Sequence, residues 1–299
     1  MDKEYDYASL MSELLTISKD NESIKLSYLG NTIMSRPIPM ITIGDQNARK
    51  SVLYVGTHHA TENICTSLLT RFVREYAISL KKRDRVCGIN IETLYKMRKI
   101  HIIPMLNPDG VEYRLNGIDE QNPLRDRILK CSNGDFSSWN ANARGVDLNH
   151  NYDAGFYEYK KIEAELGITE GATKYSGEYP ESEPEVGALC TFIRYNSNEL
   201  DGVLTLHTQG EEIYYKSEGK CPKKSEFLSR MIAKMTGYKT ADAEGTASYG
   251  GLSDWLIREL DKPSFTIECG KGKNPLPMSD LGSIYLHLRE LLFTFPVLL

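Results

Sequence analysis

The amino-acid sequence predicts an α/β fold in which a sheet lies between layers of helices. Short apolar runs typical of buried strands alternate along the chain with segments whose apolar residues recur at helical spacing. Alternating elements of this kind form a parallel or mixed sheet that is covered by helices. The 299 residues show no internal repeat and no linker, so we expect a single domain over residues 1–299, with residues 1–50 as its N-terminal helix and strands.

The predicted elements follow in order along the chain, each bounded by Gly, Asn, Asp or Pro turn signals. The first part is predicted to contain a helix at 7–20, strands at Ile24–Leu29, Ile38–Ile43 and Ser51–Gly56, a helix at Ile64–Leu80 and a strand at Lys99–Met105. Residues 106–182 carry little periodicity, so we expect a long functional loop region there. The last part is predicted to contain helices at Glu183–Asn196, Lys223–Thr236 and Asp280–Phe293 and strands at Asp201–Leu206 and Ser264–Ile267.

Composition and charge argue against several classes of protein. The net charge of −5 is mild, so we expect no nucleic-acid partner. No apolar run approaches membrane-spanning length, and the first residues lack the apolar stretch of a secretory signal, so we expect a cytoplasmic protein without a membrane partner. The six cysteines are far apart and form no Cys-x-x-Cys pair, so we expect reduced thiols that bind no metal. The oligomeric state stays open.

A metal site is predicted at the turn that runs from Gly56 to Asn63, between a strand and a helix. His59 and Glu62 lie three residues apart in this turn and can bind one cation from the same side. His207, at the end of a distant predicted strand, is the third candidate ligand. Zinc accepts two imidazoles and a carboxylate, and a fourth position left for water is typical of a catalytic site. The alternative is that Glu62 only stabilises the start of a helix.

Glu268 is a candidate general base. It ends a short apolar strand, where partial burial can adjust a carboxylate for proton transfer. A hydrolase that activates a water molecule needs such a base near its metal. The alternative is an ordinary solvated carboxylate at the end of a strand.

Several separated segments together resemble the zinc carboxypeptidase family. They are His59–Glu62, Asn107–Gly110, Gly145–Asn151, His207, Gly250–Trp255 and the strand that ends at Glu268. The resemblance implies a three-layer α/β/α sandwich with a mixed, mainly eight-stranded sheet. It also implies hydrolysis of an amide bond with one zinc ion per chain, His59, Glu62 and His207 as its ligands, and Glu268 as general base. Asp147 is the implied partner of a ligand histidine.

Two departures from the family's pattern concern substrate contacts. The Asn-Arg pair that binds a substrate's terminal carboxylate is Asn149-His150 here, and histidine is only a conditional cation. The family's substrate-covering tyrosine falls at Thr246, and Tyr249 is the nearby candidate substitute, with loop packing as the alternative. A simple C-terminal carboxypeptidase is therefore disfavoured.

A third departure concerns the group that polarises the scissile carbonyl. The family has an arginine directly after a tryptophan, whereas Trp139 is followed by Asn140. Loss of such a donor typically costs a hydrolase roughly a hundredfold in rate. We therefore expect Asn140 or Arg144 to supply this donor.

The segments Asp147–Asn151 and Gly270–Pro277 are similar to a bacterial subgroup that cleaves γ-D-glutamyl–L-diamino acid bonds, with meso-diaminopimelate as the diamino acid, in peptidoglycan stem peptides. Ser253, at the implied floor of the specificity pocket, argues against a large apolar substrate group. We therefore expect a zinc metallopeptidase that acts on small peptides or muropeptides. The alternatives are a carboxypeptidase or N-acyl amino acid deacylase with other substrates, and a non-catalytic peptide or muropeptide binder, which the missing arginine would favour.

Overall fold

The computed structural model describes residues 4–243 and 245–299. In chain order the strands are β1 (Ile24–Asn31), β2 (Pro37–Ile43), β3 (Lys50–Gly56), β4 (Arg85–Val86), β5 (Ile89–Asn90), β6 (Arg98–Ile103), β7 (Leu200–His207), β8 (Glu212–Tyr214), β9 (Lys239–Thr240) and β10 (Ser264–Glu268). The helices are α1 (Tyr7–Asp20), α2 (Ile64–Lys82), α3 (Ile91–Met97), α4 (Pro108–Asn116), α5 (Arg125–Ser132), α6 (Phe156–Leu166), α7 (Pro184–Tyr195), α8 (Ser225–Thr236), α9 (Leu252–Leu260) and α10 (Leu281–Leu298).

Eight of the strands form one mixed sheet in the order β1-β2-β6-β3-β7-β10-β8-β9. The four central strands β6, β3, β7 and β10 run parallel to one another, whereas β1 with β2, β2 with β6 and β10 with β8 are antiparallel pairs. Strands β4 and β5 form a separate small hairpin. The eight-stranded mixed sheet that the family resemblance implied is confirmed.

The sheet is covered on both faces, which makes three layers. In β3, Val52 and Tyr54 belong to one buried core and Leu53 and Val55 to the other, because successive side chains of a strand point to opposite faces. The first core is completed by α1, α2, α8 and α10, and the second by α7 and α9. This agrees with the predicted sandwich. A strand buried on both faces reads as a continuous apolar run, which is why β3 was recognisable from the sequence.

The region 106–182 differs from the prediction of one long loop, because it contains α4, α5 and α6. Helix α4 begins with Pro108 in its first turn, and the Asn107 side chain accepts a hydrogen bond from the Gly110 backbone at 2.9 Å. An Asn cap followed by Pro is a recognised helix start. The segments between these helices are irregular, and the longest, 133–155, contains a short 3-10 turn at Leu148–His150.

Membrane crossing is not supported by the helices of the described ranges: none is both long and apolar enough to span a bilayer.

The carboxyl ends of the parallel strands lie along one edge of the sheet. Glu268 of β10 is aligned with His207 of β7, and Gly56 of β3 is aligned with Leu206 of β7. The Cys269 backbone N–H donates to the His207 carbonyl at 2.8 Å and holds these two strand ends together. The turn after β3 therefore begins beside His207, at the edge where open α/β sheets bind their ligands.

Candidate metal centre

Three side chains converge on one point at this edge. His59 precedes the short 3-10 helix Ala60–Glu62 that follows β3, and His207 is the last residue of β7. One potential ligand atom from each of His59, Glu62 and His207 lies within 4.8 Å of the others. His59 Nδ1 is 3.0 Å from Glu62 Oε1, and His207 Nδ1 is 2.9 Å from Glu62 Oε2. The sequence-predicted trio is thus brought together around a single carboxylate.

Asp147 orients the first of these histidines. Its Oδ1 lies 2.9 Å from His59 Nε2, and it also accepts backbone hydrogen bonds from Asn149 at 3.2 Å and Lys174 at 3.0 Å. A carboxylate here favours a proton on Nε2, which leaves Nδ1 of His59 directed at Glu62 and available to a cation. Two imidazole nitrogens and a carboxylate are the donor set of catalytic zinc sites, so these residues fit that metal.

Without a metal ion, the charges of the trio stabilise a carboxylate at Glu62 and a protonated ring at His59. Burial by itself would raise the pKa of Glu62, but the His59 and His207 imidazoles outweigh it and lower this pKa to about 2. Burial likewise opposes a charged His59, yet Glu62 and Asp147 outweigh it and raise the pKa of His59 well above its ordinary value. Since histidine binds metal as the neutral ring, a divalent cation would take the place of these protons.

Glu268 lies next to the trio at the end of β10. It is half-buried and lines the same cavity as His59, Glu62 and His207. Burial raises the pKa of Glu268 well above its usual range, and the nearby Glu62 carboxylate adds to this effect. A carboxyl group with a raised pKa can accept a proton in one step and return it in the next.

The cavity beside the trio has a volume of about 230 Å³. Its walls include other residues predicted from the sequence, namely Asn149, His150, Thr246 and Ser253. The Ser253 hydroxyl accepts hydrogen bonds from the Ser264 hydroxyl at 3.0 Å and the Thr266 hydroxyl at 2.9 Å, so this part of the wall is small and polar.

His150 is held in place on this wall. Its ring stacks on the ring of Tyr159 with centroids 4.0 Å apart, and its Nδ1 lies 3.0 Å from the Tyr249 carbonyl oxygen. The Tyr249 side chain hydrogen-bonds to Glu218 and lines a neighbouring cavity instead. The structure therefore places Thr246, and not Tyr249, on the wall of the cavity beside the trio.

The two residues expected to polarise the scissile carbonyl lie elsewhere. The Arg144 guanidinium donates to both oxygens of Glu183 at 3.1 Å and to the Ser182 carbonyl at 2.8 Å. The Asn140 side-chain oxygen accepts from the backbone and the hydroxyl of Thr61. Neither side chain lines the cavity beside the trio.

Two lysines on the cavity wall were missed by the sequence reasoning. The backbone N–H of Lys174 itself donates to Asp147, and Lys216 lies just after β8. The Lys216 ammonium pairs with Asp242 at 2.9 Å, whereas Lys174 makes no ion pair with any carboxylate of residues 4–243 or 245–299. Neither lysine belongs to a periodic pattern or a recognisable spacing, so the sequence offered no signal for them.

Asn107 holds the turn that carries the ligands. Its buried amide donates to the carbonyls of His58 at 2.9 Å and of Asn140 and Ala141 at 3.1 Å each. These bonds tie the turn after β3 to the chain segment around Asn140. Through these bonds the Asn107–Gly110 segment positions the site.

Comparison with known proteins adds independent findings. The sequence pattern described as "Zinc carboxypeptidase" matches residues 11–288. The Lysinibacillus sphaericus protein named gamma-D-glutamyl-L-diamino acid endopeptidase 1 is 32% identical over 283 residues, which cover 94% of this chain and 69% of that protein. Carboxypeptidase B of Rattus norvegicus is 26% identical over 267 residues, which cover 84% of this chain and 60% of the rat protein.

Solved structures show the same fold. Bovine thrombin-activatable fibrinolysis inhibitor, in its complex with a tick carboxypeptidase inhibitor, superposes with a TM-score of 0.73 at 19% identity. The superposition covers 99% of this chain and 98% of that chain. At this level of identity, the similarity supports the architecture of the chain.

Proposed function

Because the chain belongs to the zinc carboxypeptidase family and is a zinc metallopeptidase, we propose that it hydrolyses γ-D-glutamyl–diamino acid bonds in peptidoglycan-derived stem peptides. The observation that carries this proposal is its similarity, over nearly the whole chain, to a bacterial protein named for that activity. The convergence of His59, Glu62 and His207 supports hydrolysis as the chemistry.

In this proposal His59, Glu62 and His207 bind one zinc ion per chain. Bound there, zinc would polarise the substrate carbonyl and lower the pKa of a water molecule. Glu268 accepts a proton from the attacking water and delivers it to the departing amine nitrogen. Its raised pKa and its place on the cavity wall support both steps.

Lys174 is the cation that we propose for the polarisation of the scissile carbonyl. Asn140 and Arg144, the candidates from the sequence, have side chains engaged by Thr61 and Glu183. The backbone of Lys174 is fixed next to the metal site by its hydrogen bond to Asp147. Its ammonium lines the cavity without an ion-pair partner among the described residues, so it can approach a developing negative charge.

Asn149, His150 and Ser253 are the substrate-binding residues of the proposal. The Asn149 side-chain oxygen accepts from the Leu252 backbone at 3.2 Å, which leaves the amide donors free for a substrate carboxylate. His150 Nδ1 donates to the Tyr249 carbonyl at 3.0 Å, so Nε2 is the ring nitrogen left for a substrate. Tyr249 would contribute only through a movement that brings its ring from the neighbouring cavity over the substrate.

The proposed reaction is tested with a substrate panel. Zinc-loaded protein is incubated with L-alanyl-γ-D-glutamyl-meso-diaminopimelate and with α-linked peptides that end in lysine, arginine or leucine, and products are identified by mass spectrometry. We expect cleavage of the γ-linked bond, and a fall in kcat of roughly 10²–10⁴-fold for Glu268→Gln. The matched control is Glu165→Gln, which removes an exposed carboxylate on α6.

Two outcomes would overturn the proposal in different ways. Removal of C-terminal residues from the α-linked peptides alone would favour an ordinary carboxypeptidase, the activity named in the rat relative. Zinc-containing protein that turns over no substrate of the panel would favour a non-catalytic binder.

The setting of the protein is also a proposal. The six cysteines, all within the described ranges, are free thiols, which fits a reducing compartment such as the cytoplasm. We propose that the described residues form one folded domain, since both apolar cores share the central sheet. Subcellular fractionation and a single cooperative thermal transition are the respective tests.

A further inference from the structure

A second cavity adjoins the one beside the metal centre. Its volume is about 310 Å³, and it shares three wall residues with the first cavity, namely Lys216, Ala243 and Asp254. The two cavities therefore meet along a common wall. A substrate side chain that leaves the first cavity past Lys216 and Asp254 would enter the second.

The common wall carries one group of each charge. The Lys216 ammonium is paired with Asp242 at 2.9 Å, and both side chains are substantially exposed, at 39% and 59%. Exposed ion pairs of this kind contribute little free energy, so Lys216 can exchange Asp242 for another carboxylate at small cost.

Asp254, the negatively charged group of the common wall, differs from Lys216 in its burial and in its partners. Its carboxylate is largely buried and accepts from the Gly251 backbone at 3.3 Å and from the Ser217 side chain. It forms no ion pair with any cation in the described part of the chain, and burial raises its pKa above the usual range. The two other carboxylates on the wall of the second cavity are already paired, Asp242 with Lys216 and Glu218 with Arg258, each at 2.9 Å. Burial outweighs the nearby Arg258 charge in setting the pKa of Asp254, so a cation in direct contact would stabilise this carboxylate further.

We infer that this wall is a subsite for the far end of a diamino acid side chain, where Asp254 binds an ammonium group and Lys216 binds the carboxylate on the same carbon. This inference rests on the proposed function and names the residues that would distinguish diaminopimelate from lysine. Diaminopimelate carries both groups at its far end, whereas lysine carries only the amine. Ser253, which precedes Asp254 in the chain, adds a small polar side chain to the wall of the first cavity.

The test measures binding apart from turnover. The Glu268→Gln protein is titrated by calorimetry with three γ-D-glutamyl amides that differ only in the second residue: meso-diaminopimelate, L-lysine or L-norleucine. We expect affinity to fall in that order. In Lys216→Met, made on the Glu268→Gln background, the preference for diaminopimelate over lysine should fall at least tenfold. The matched control is Lys223→Met on the same background, which removes an exposed lysine before α8.

A second variant tests the proposed contact between Asp254 and the ammonium group. Asp254→Asn should reduce the preference for the lysine compound over the norleucine compound. Because Asp254 also caps α9, the melting temperature of the Asp254→Asn protein is measured in parallel. The Asp254→Glu variant, which keeps the carboxylate, should restore part of the preference. Equal affinities for the three compounds, or an equal loss for diaminopimelate and lysine in Lys216→Met, would overturn the subsite. Retained preference in a wild-type protein that cleaves none of the three would overturn only the proposed reaction.

Discussion

Replacement of Asp147 by Asn tests the arrangement around the metal centre. Asp147 is 3% exposed and faces three hydrogen-bond donors, namely His59 Nε2 and the backbone N–H groups of Asn149 and Lys174. The substitution keeps the volume but removes the negative charge and turns one acceptor into a donor. A change of this kind next to a ligand histidine typically lowers metal affinity by 10–100-fold, or about 1.4–2.8 kcal/mol.

The assay is a competition titration in which a chromophoric chelator reports the Kd for zinc. We expect the Kd of Asp147→Asn to rise by 10–100-fold. Asp126→Asn, which alters a fully exposed carboxylate on α5, should leave the Kd unchanged. Melting curves of the metal-free proteins separate loss of affinity from loss of folding. A Kd within twofold of the wild-type value would show that Asp147 does not orient His59 for metal binding.

Three further predictions follow from the same structure. Asn107→Ala should lower the free energy of unfolding by roughly 2–4 kcal/mol in urea, because each buried polar group left unpaired costs about 1–3 kcal/mol; a loss below about 1 kcal/mol would contradict this. Burial raises the pKa of Glu185 from 4.5 to about 8. Between these two pH values the folded state holds a proton that the unfolded chain has released. The free energy of unfolding of the wild type therefore falls as the pH rises from about 4.5 to about 8. The Glu185→Gln variant avoids this loss and should gain stability relative to the wild type with rising pH, by about 3 kcal/mol at pH 7; an equal difference at pH 4 and pH 8 would refute it. Lys174→Met should lower kcat by roughly a hundredfold, more than Asn140→Ala or Arg144→Met, and a larger loss in either of those would identify that residue as the donor.

The parts of the fold that the sequence predicted are those with a strong local pattern. Helix α1 has the predicted bounds, and β3 and β10 were recognised as apolar runs. Helix α9 is not among the predicted elements, because it has only nine residues and begins directly after Gly250 and Gly251. Strands β8 and β9 have three and two residues, so their pairing with neighbours in the sheet, and not their own sequence, defines them.

Some residues of the site could likewise be predicted from the sequence, and others could not. His59, Glu62, His207 and Glu268 follow predicted strands, and parallel strands bring their carboxyl ends to one edge, so their proximity could be expected from the sequence. Arg144 was a reasonable candidate by its charge, but its partner Glu183 lies 39 residues away in the chain. Such distant pairings are set by the folded backbone and leave no local signal.

The central claim is that the two histidines and Glu62 bind zinc. The most direct measurement is an anomalous-difference map, collected at the zinc absorption edge, from a crystal of the zinc-loaded protein. We expect one strong peak about 2.0–2.2 Å from His59 Nδ1, His207 Nδ1 and the nearer oxygen of Glu62. Absence of a peak among these three side chains, or zinc bound only elsewhere on the protein, would contradict it.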